Sequence, residues 1–331
     1  MPLPKKAILG ILADNLAQRG SVLPLPARVT TEWSRGLKIP LGGETVLYTG
    51  HMYQLIPFID AMASQMKNLE DSWITRLMDL GRLANKAISL SGFMARADKE
   101  QRQAQNRTLR SIALLLREAG VTFGYLYEAE LYAGALLYDE GIDKIFVRHA
   151  RRVQKMFLDN GVKRVITVDP HTTNMLRQVF PEVLDGFDVE VQSYLEVLAE
   201  RKPETWKHLE GRVMVHDSCV YARYEGVIDQ PRDLLESTGL EVVSPELSGK
   251  LTHCCGGPIE SLFPSQAHEI ATKRVAQLAA PGCEVATMCP ICLVNLKNAA
   301  NGNGAAFRDI ADILGDAFLV RVSSTDTVET A

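Results

Sequence analysis

The sequence lacks the features that mark membrane-spanning, secreted or nucleic-acid-binding proteins. Its 331 residues include 36 Lys and Arg against 40 Asp and Glu, so no excess of positive charge is available for nucleic acid. No apolar run reaches the roughly 18 residues that a membrane-spanning helix requires. The apolar stretch after Lys6 is interrupted by Asp14, which argues against a signal peptide. We therefore expect a cytoplasmic protein that does not itself span a membrane.

Cysteine is absent from the first 218 residues. The six cysteines all lie in the last third of the chain, at Cys219, Cys254, Cys255, Cys283, Cys289 and Cys292. A secreted disulfide framework would distribute more cysteines through a shorter chain. This concentration therefore predicts one local site in a protein from a reducing compartment.

The alternation of strand-like and helix-like segments predicts a parallel α/β fold. Short β-rich runs occur at 44–50, 121–127, 162–169, 212–218 and 283–288. Because the order of elements repeats, we expect two pseudo-symmetric halves, residues 44–200 and 201–331. An irregular lead-in over 1–43 precedes them. The helical stretch 70–118 is interpreted as an insertion in the first half, with its polar middle either a solvated helix face or a partner-binding arm.

Five of the cysteines fall where a predicted strand ends or where the chain turns. Cys219 follows the run 212–218, the Cys-Cys pair precedes Gly-Gly-Pro, and the last two frame the start of a helix. The carboxyl ends of parallel strands lie along one edge of a sheet, where ligands collect. The N-terminus of a helix also favours the thiolate of Cys292. We therefore expect five thiolates to converge, whereas Cys283, at a strand start, is predicted to be structural.

Five thiolates exceed what common sites use. Zinc takes four ligands, and an ordinary iron–sulfur cubane takes four cysteines. The side chains of adjacent cysteines diverge, so a larger or unusual cluster fits the pattern better. Two alternatives stay open, a structural zinc site and a thioredoxin-like dithiol at Cys289 and Cys292. The dithiol leaves the other three cysteines unexplained.

The pattern Cys-x34-Cys-Cys-x33-Cys-Pro-x-Cys resembles the cysteine-rich CCG domain. That domain occurs in heterodisulfide reductase and in iron–sulfur subunits of glycolate and lactate oxidases. The flanking segment HDSCVYARYEGVIDQPRDLLESTGLEVV is similar as well, and the resemblance spans roughly residues 44–320. It implies a noncubane [4Fe-4S] cluster that cleaves a disulfide. The ligands implied are Cys219, Cys254, Cys255, Cys289 and Cys292.

The resemblance implies an oxidoreductase subunit of a heterodisulfide-reductase-like complex with a thiol or disulfide substrate. Because no ferredoxin-type run of cysteines is present, electrons would arrive from a ferredoxin-like iron–sulfur subunit, with a flavoprotein subunit as a further partner. We expect the iron–sulfur partner to dock along the lead-in and the region of Trp33. An alternative is an electron-relay subunit of a hydroxy-acid oxidase or a quinone-linked complex.

The first half resembles a CCG repeat without its thiols. The places of the five cysteines are taken by His51, Tyr132, Ala133, Asp169 and Thr172. The resemblance therefore implies that this half binds no iron–sulfur cluster. We expect His51 and Asp169 to supply protons or hold substrate in a pocket facing the cluster. Alternatively, they fill the space of a lost cluster, or they hold a second metal together with His171.

Two further histidines flank the cysteines. His253 precedes the Cys-Cys pair, and His216 lies three residues before Cys219. A hydrogen-bonding group beside a cluster raises its potential or donates a proton to a leaving thiolate. His253 is accordingly predicted to be catalytic, the alternative being an ordinary loop histidine.

Overall fold

The structure is a computed structural model that describes residues 5–69, 97–260, 262–280, 282–300 and 305–319. Its strands are β1 (Thr45–Tyr48), β2 (Arg164–Thr167), β3 (Glu190–Ser193), β4 (Arg212–His216), β5 (Glu241–Val243), β6 (Cys283–Thr287) and β7 (Ala306–Asp309). Its helices are α1 (Lys5–Arg19), α2 (Ala27–Thr30), α3 (Met52–Leu69), α4 (Lys99–Glu118), α5 (Ala135–Asp139), α6 (Asp143–Asp159), α7 (Pro170–Asn174), α8 (Phe180–Val183), α9 (Tyr194–Arg201), α10 (Asp229–Ser237), α11 (Pro264–Leu278), α12 (Pro290–Ala299) and α13 (Ile310–Phe318).

The strands form two parallel sheets. The first sheet has the order β1-β2-β3 and the second the order β5-β4-β6-β7. In the first sheet Tyr48 lies opposite Thr167, and in the second His216 lies opposite Thr287. Helices connect the strands, as parallel pairing requires. The prediction of an α/β fold with parallel strands is confirmed.

The two sheets repeat one arrangement. A bridge between Val46 and Gly124 places the segment at 124 beside β1, as β5 lies beside β4. β2, which follows Tyr132 and Ala133, pairs with the other edge of β1. In the same way β6, which follows the Cys-Cys pair, pairs with the other edge of β4. The carboxyl ends of β1 and β2 in the first half therefore correspond to those of β4 and β6 in the second.

Three local predictions differ from the structure. The run 121–127 was expected to be a strand but makes only isolated bridges. A Cβ on Gly124 would lie 1.6 Å from the Gly42 carbonyl oxygen, so the close approach of the two backbones requires glycine there. β3 was not predicted. β7 was not predicted either, although residues 306–309 form a strand.

The lead-in packs onto its own chain. Trp33 is fully buried, and its ring lies 4.9 Å from that of Tyr125 in an edge arrangement. The guanidinium of Arg152 donates to the carbonyls of Leu16 and Ala17, which ties α1 to α6. A partner that docks on the lead-in must therefore contact residues other than Trp33.

The predicted helical insertion is described only in part. Residues 70–96 lie outside the described residues, and the remainder forms α4, which begins at a capping Asp98. α4 packs against α13, so its apolar face closes the core beside the second sheet. Within the described ranges, no helix has both the length and the apolar character to cross a bilayer.

Candidate metal centre

The five cysteines of the predicted site form one continuous group of sulfurs. The Sγ atoms of Cys219 and Cys254 are 3.9 Å apart, and those of Cys255 and Cys292 are 3.0 Å apart. Hydrogen bonds between Cys254 and Cys255 and between Cys289 and Cys292 complete the chain of contacts. Residues from three loops, more than 30 positions apart in sequence, thus meet at one edge of the second sheet.

Local backbone chemistry fixes these loops. Gly256, directly after the Cys-Cys pair, has φ of 82°, in the left-handed region that favours glycine. A Cβ there would lie 2.5 Å from the carbonyl oxygen of Ala267, so the loop sits directly on α11. Cys289 occupies the N-cap of α12 and Pro290 the first helical position, where proline is favoured. These residues hold the sulfurs on rigid elements.

The thiols do not all ionise alike. Hydrogen bonds from the Cys219 and Cys255 thiols lower the pKa of Cys254, and the backbone N–H of Gly256 adds to this. Burial alone would raise the pKa of Cys289, but hydrogen bonds from Cys292 and His171 bring it well below its usual value. The group therefore favours thiolates at Cys254 and Cys289.

The other three members of the group keep their protons. Hydrogen bonds to neighbouring sulfurs, followed by burial, raise the pKa of Cys219, Cys255 and Cys292. A bound metal deprotonates the thiols that coordinate it, because its positive charge outweighs repulsion between thiolates. Five sulfur donors, three of them on buried cysteines and two on half-buried ones, suit an iron–sulfur cluster and exceed the four that zinc takes. The donor set thus fits the predicted cluster.

His216 is a buried histidine beside the sulfurs. A ligand atom of its ring and the sulfurs of Cys255 and Cys292 all lie within 4.8 Å of one another. Burial, followed by the charge of Arg274, lowers the pKa of His216 to about 3, so the ring is neutral. Its Nδ1 accepts from Nε of Arg274 at 3.1 Å, which leaves the proton on Nε2. Nε2 is buried and has no hydrogen-bond partner in the described ranges.

Arg274 is a site residue that was not predicted. It is fully buried, and it also donates to Thr252 Oγ1 and to the carbonyl of Leu247. The sequence did hold a signal, since position 274 falls on the face of α11 that also carries the buried Ala267, Ala271 and Leu278. A charged residue on such a face indicates a specific buried partner, which here is His216.

His253 and Cys283 occupy different surroundings. His253 is half-buried next to the Cys-Cys pair, and its Nδ1 lacks a hydrogen-bond partner among the described residues. Its catalytic role stays a prediction. Cys283 is the first residue of β6, whereas Cys289 follows the last residue of that strand. Cys283 therefore lies at the end of β6 that is away from the sulfur group. This placement agrees with a structural role for Cys283.

In the first half, two of the corresponding residues pack closely against Gly50. A Cβ on Gly50 would lie 2.4 Å from Thr172 Oγ1 and 3.2 Å from the Cβ of Ala133. Gly134, with φ of 94°, repeats the left-handed position of Gly256. The backbone arrangement is thus shared by the two halves, while small side chains fill the centre of the first.

The predicted pocket residues of the first half separate into two groups. His51 lies beside Glu130, with its Nε2 4.0 Å from Oε1. Burial, followed by the charge of His149, lowers the pKa of His51 to about 4. His171 instead reaches across to the second half and hydrogen-bonds to the sulfur of Cys289.

Asp169 and His171 have different hydrogen-bond partners, although their charges interact with each other and with Cys289. Oδ1 of Asp169 accepts from the Thr172 N–H and caps α7, and burial raises the Asp169 pKa to about 6. His171 Nδ1 lies 3.7 Å from Oδ2 of Asp139, a residue that was not predicted. Within the described ranges, His51, Asp169 and His171 do not form a group spaced for a metal ion. A second metal at these three residues thus has no support.

Residues 213–297 match the family CCG, described as a cysteine-rich domain. The match runs from β4 through most of α12 and includes all five clustered cysteines. The second half of the chain contains a CCG cysteine-rich domain. The recognition made from the cysteine spacing is confirmed.

Several named proteins are similar to this chain. It is 31% identical over 222 residues to the EtfAB:quinone oxidoreductase of Syntrophomonas wolfei, a match covering 62% of this chain and 31% of that protein. It is 31% identical over 221 residues to the probable iron-sulfur-binding oxidoreductase FadF of Bacillus subtilis, covering 63% and 31%. It is 28% identical over 198 residues to one subunit of the dihydromethanophenazine:CoB--CoM heterodisulfide reductase of Methanosarcina mazei, covering 56% and 48%. The chain spans about a third of the length of the first two.

Proposed function

We propose that this chain is an iron–sulfur subunit of a heterodisulfide-reductase-like oxidoreductase complex. Its CCG domain would hold a noncubane [4Fe-4S] cluster through Cys219, Cys254, Cys255, Cys289 and Cys292. The observation that carries the proposal is the continuous contact of these five sulfurs. A cubane or a zinc ion would leave one of them without a metal. The names of the similar proteins support an iron–sulfur oxidoreductase.

The proposed reaction is reduction or formation of a disulfide. Reduction of one S–S bond takes two electrons and two protons and yields two thiols, and the reverse reaction releases them. When bound, the cluster would supply electrons singly and an iron site for one substrate sulfur. The chain's own residues bury the site and hold a proton at its edge. His171 lies between the sulfur of Cys289 and the carboxylate of Asp139, where it can keep such a proton.

Electrons for this reaction would come from partner subunits. Five of the six cysteines belong to the proposed site, so the sequence holds no second set for a ferredoxin-type cluster. We propose a ferredoxin-like iron–sulfur subunit and a flavoprotein subunit in the cytoplasm. The lead-in 1–43 would be the docking segment, 44–200 the degenerate repeat and 201–331 the repeat that carries the cluster.

A second candidate function is electron relay without substrate chemistry. The similar protein from Syntrophomonas wolfei is named for a quinone, not for a thiol. In this role the cluster would pass electrons onward within a quinone-linked complex. The contact between His171 and Cys289 would then serve only to set the cluster's potential.

Metal analysis together with turnover separates these functions. Anaerobically purified full-length protein should contain about four irons and about four sulfides per chain. Electron paramagnetic resonance of the oxidised sample should change when a thiol substrate is added. If the spectrum does not change when a thiol is added, and the protein does not turn over a disulfide, the electron-relay function would be favoured. Zinc without iron would refute both functions, and about eight irons would mean that the first half also binds a cluster.

A further inference from the structure

A cleft lies between the two halves. One wall comes from α1, α3 and the segment 132–139, all of the lead-in and first half. The other wall consists of Gly257, Pro258, Glu260 and Ile291 of the CCG domain. The cleft is therefore assembled from residues that lie far apart in the sequence, from Leu12 to Ile291.

The CCG wall of the cleft adjoins the clustered sulfurs. A Cβ on Gly257 would lie 3.5 Å from Sγ of Cys255 and 2.2 Å from the side chain of Ile291. Ile291 itself stands between Cys289 and Cys292 in the sequence, and His171, which hydrogen-bonds to Cys289, lines the cleft as well. A molecule in the cleft would thus have one end beside the sulfurs.

The walls of the cleft are apolar over most of their area. Away from the sulfurs they carry no positively charged side chain within the described residues. Ten lining side chains are aliphatic or thioether groups, among them Leu12, Ile56, Ile59, Met62 and Ile291. No lysine or arginine lines the cleft within the described residues. The ionisable groups are Tyr132, Asp139, His171 and Glu260. Burial, followed by the charge of Asp60, raises the Glu260 pKa to about 7.

An anionic substrate would be poorly matched to this cleft. Its charge would lose hydration and would face the carboxyl groups of Asp139 and Glu260, with His171 as the one basic side chain in the described lining. An uncharged apolar molecule would instead gain from contact with the aliphatic walls, because burying apolar surface is favourable. The same walls give no hydrogen bonds along most of their length, so only the group near His171 needs to be polar.

We propose that this cleft binds an uncharged substrate with an apolar body, with its reducible group at the Gly257 and Ile291 end. The position of the reducible group rests on the proposed function, whereas the preference for an uncharged body does not. A dialkyl disulfide and an alkyl quinone share this chemistry. Each takes up two electrons and two protons, which the partner subunits and the solvent would supply.

Calorimetric titration of the anaerobically purified full-length protein tests the preference without turnover. The matched probes are dipropyl disulfide and the dianionic 3,3′-dithiodipropionate, at pH 8. We expect the dipropyl compound to bind at least about tenfold more tightly, and each further buried methylene to tighten binding about fourfold. A decyl benzoquinone forms a third arm, and its binding without binding of the disulfide would support the cleft but contradict disulfide chemistry. Equal or tighter binding of the dianion, or binding of none of the probes, would overturn the proposal.

A charge placed in the cleft provides the second test. Ile59 is a half-buried residue of α3 that lines the cleft, and Ile145 is a half-buried residue of α6 that does not. Ile59→Lys should weaken the apolar probe at least about tenfold and strengthen the dianion, while Ile145→Lys should change neither. If Ile59→Lys fails to fold, Met62→Gln is expected to weaken the apolar probe in the same direction. Unchanged binding in a folded Ile59→Lys or Met62→Gln protein would contradict the assignment.

These outcomes can be told apart from failure of the proposed function. Binding of an uncharged probe by a protein without iron or disulfide turnover would refute the proposed function and leave the cleft's preference intact. Conversely, an iron-loaded, active protein that prefers the dianion would refute only the inference about the cleft.

Discussion

The two halves share a frame but differ in what fills it. Each has a parallel sheet whose strands carry the site at their carboxyl ends, and each turns through a left-handed glycine, Gly134 or Gly256. In the second half five sulfurs line the edge of the sheet. In the first, Thr172 and Ala133 pack against Gly50, so the corresponding space is filled by the chain itself.

This difference shows that the shared backbone arrangement of the two halves does not depend on the thiols. The first half keeps strand order, turn and helix start with uncharged or acidic side chains at the cysteine positions. The cysteines of the second half are therefore explained by chemistry at the site and not by folding alone. It also shows where the first half contributes, because His171 extends from it to the sulfur of Cys289.

The largest expected contrast between the halves is in metal content. Cys289 and Asp169 hold the same place, each as the N-cap of a helix that starts with proline. Cys289→Ser should lose most of the iron, because serine is a poor ligand for iron in a sulfur cluster. Asp169→Ser should retain the iron, since serine is also a good helix cap. Iron and sulfide content per chain measures both, and equal losses would show that Asp169 also supports the cluster.

The second contrast concerns the left-handed glycines. Gly256→Ala would bring a Cβ to 2.5 Å from a backbone oxygen on α11, whereas Gly134→Ala would meet the ring of Phe146 at 3.1 Å. Both variants also force alanine into a left-handed backbone, which costs on the order of 1 kcal/mol. We expect Gly256→Ala to destabilise the protein by about 3 kcal/mol and Gly134→Ala to destabilise it by about 2 kcal/mol. Thermal unfolding of samples matched in iron content is the measurement. The reverse order would mean that the loop of the second half yields more easily than its contacts indicate.

A third prediction uses Glu130, a buried carboxyl whose counterpart in the second half is the uncharged Thr252. Burial raises the pKa of Glu130 from 4.5 to about 8, against hydrogen bonds from Thr49 that lower it. The folded protein thus keeps a proton that the unfolded chain has lost, so this group's stabilisation is complete below pH 4.5 and disappears as pH rises towards 8. Glu130→Gln stays uncharged and should gain stability relative to the parent protein by about 3 kcal/mol between about pH 5.5 and about pH 8.

Urea unfolding at the two pH values measures this difference. Glu128→Gln is the matched control, because Glu128 lies on the same turn but is exposed. A pH-independent difference between Glu130→Gln and the parent protein would show that Glu130 is already ionised in the folded state.

The sequence predicted the site better than it predicted its surroundings. The cysteine spacing and the strands 212–218 and 283–288 were sufficient to place five thiols together, because a parallel sheet aligns its carboxyl ends. β3 and β7 escaped prediction because their segments, EVQS and AFRD, are short and polar and gain their pairing from neighbouring strands. A pocket facing the cluster was predicted, but its lining was not, since Leu12, Ile56 and Ile291 show no pattern in common until the chain has folded. His171 belongs to the described lining, whereas His51 and Asp169, which were expected in such a pocket, do not.

The smallest expected effect is on the reduction potential of the cluster. It tests whether His216 is a hydrogen-bond donor to the cluster or a ligand of its metal. Arg274 donates to Nδ1 of His216 and so leaves the proton on Nε2, and one nitrogen of this ring lies within 4.8 Å of the sulfurs of Cys255 and Cys292. We expect the Nε2 proton to point at these sulfurs, whereas His51 in the first half lies beside Glu130. An N–H directed at sulfur stabilises the more negative, reduced state of a cluster, so His216→Phe should lower the reduction potential and leave the iron content unchanged. His51→Phe should change neither, and a redox titration followed by electron paramagnetic resonance compares the two variants. Loss of iron from His216→Phe would instead identify the imidazole as a ligand and would require the proton to lie on Nδ1, against the hydrogen bond from Arg274.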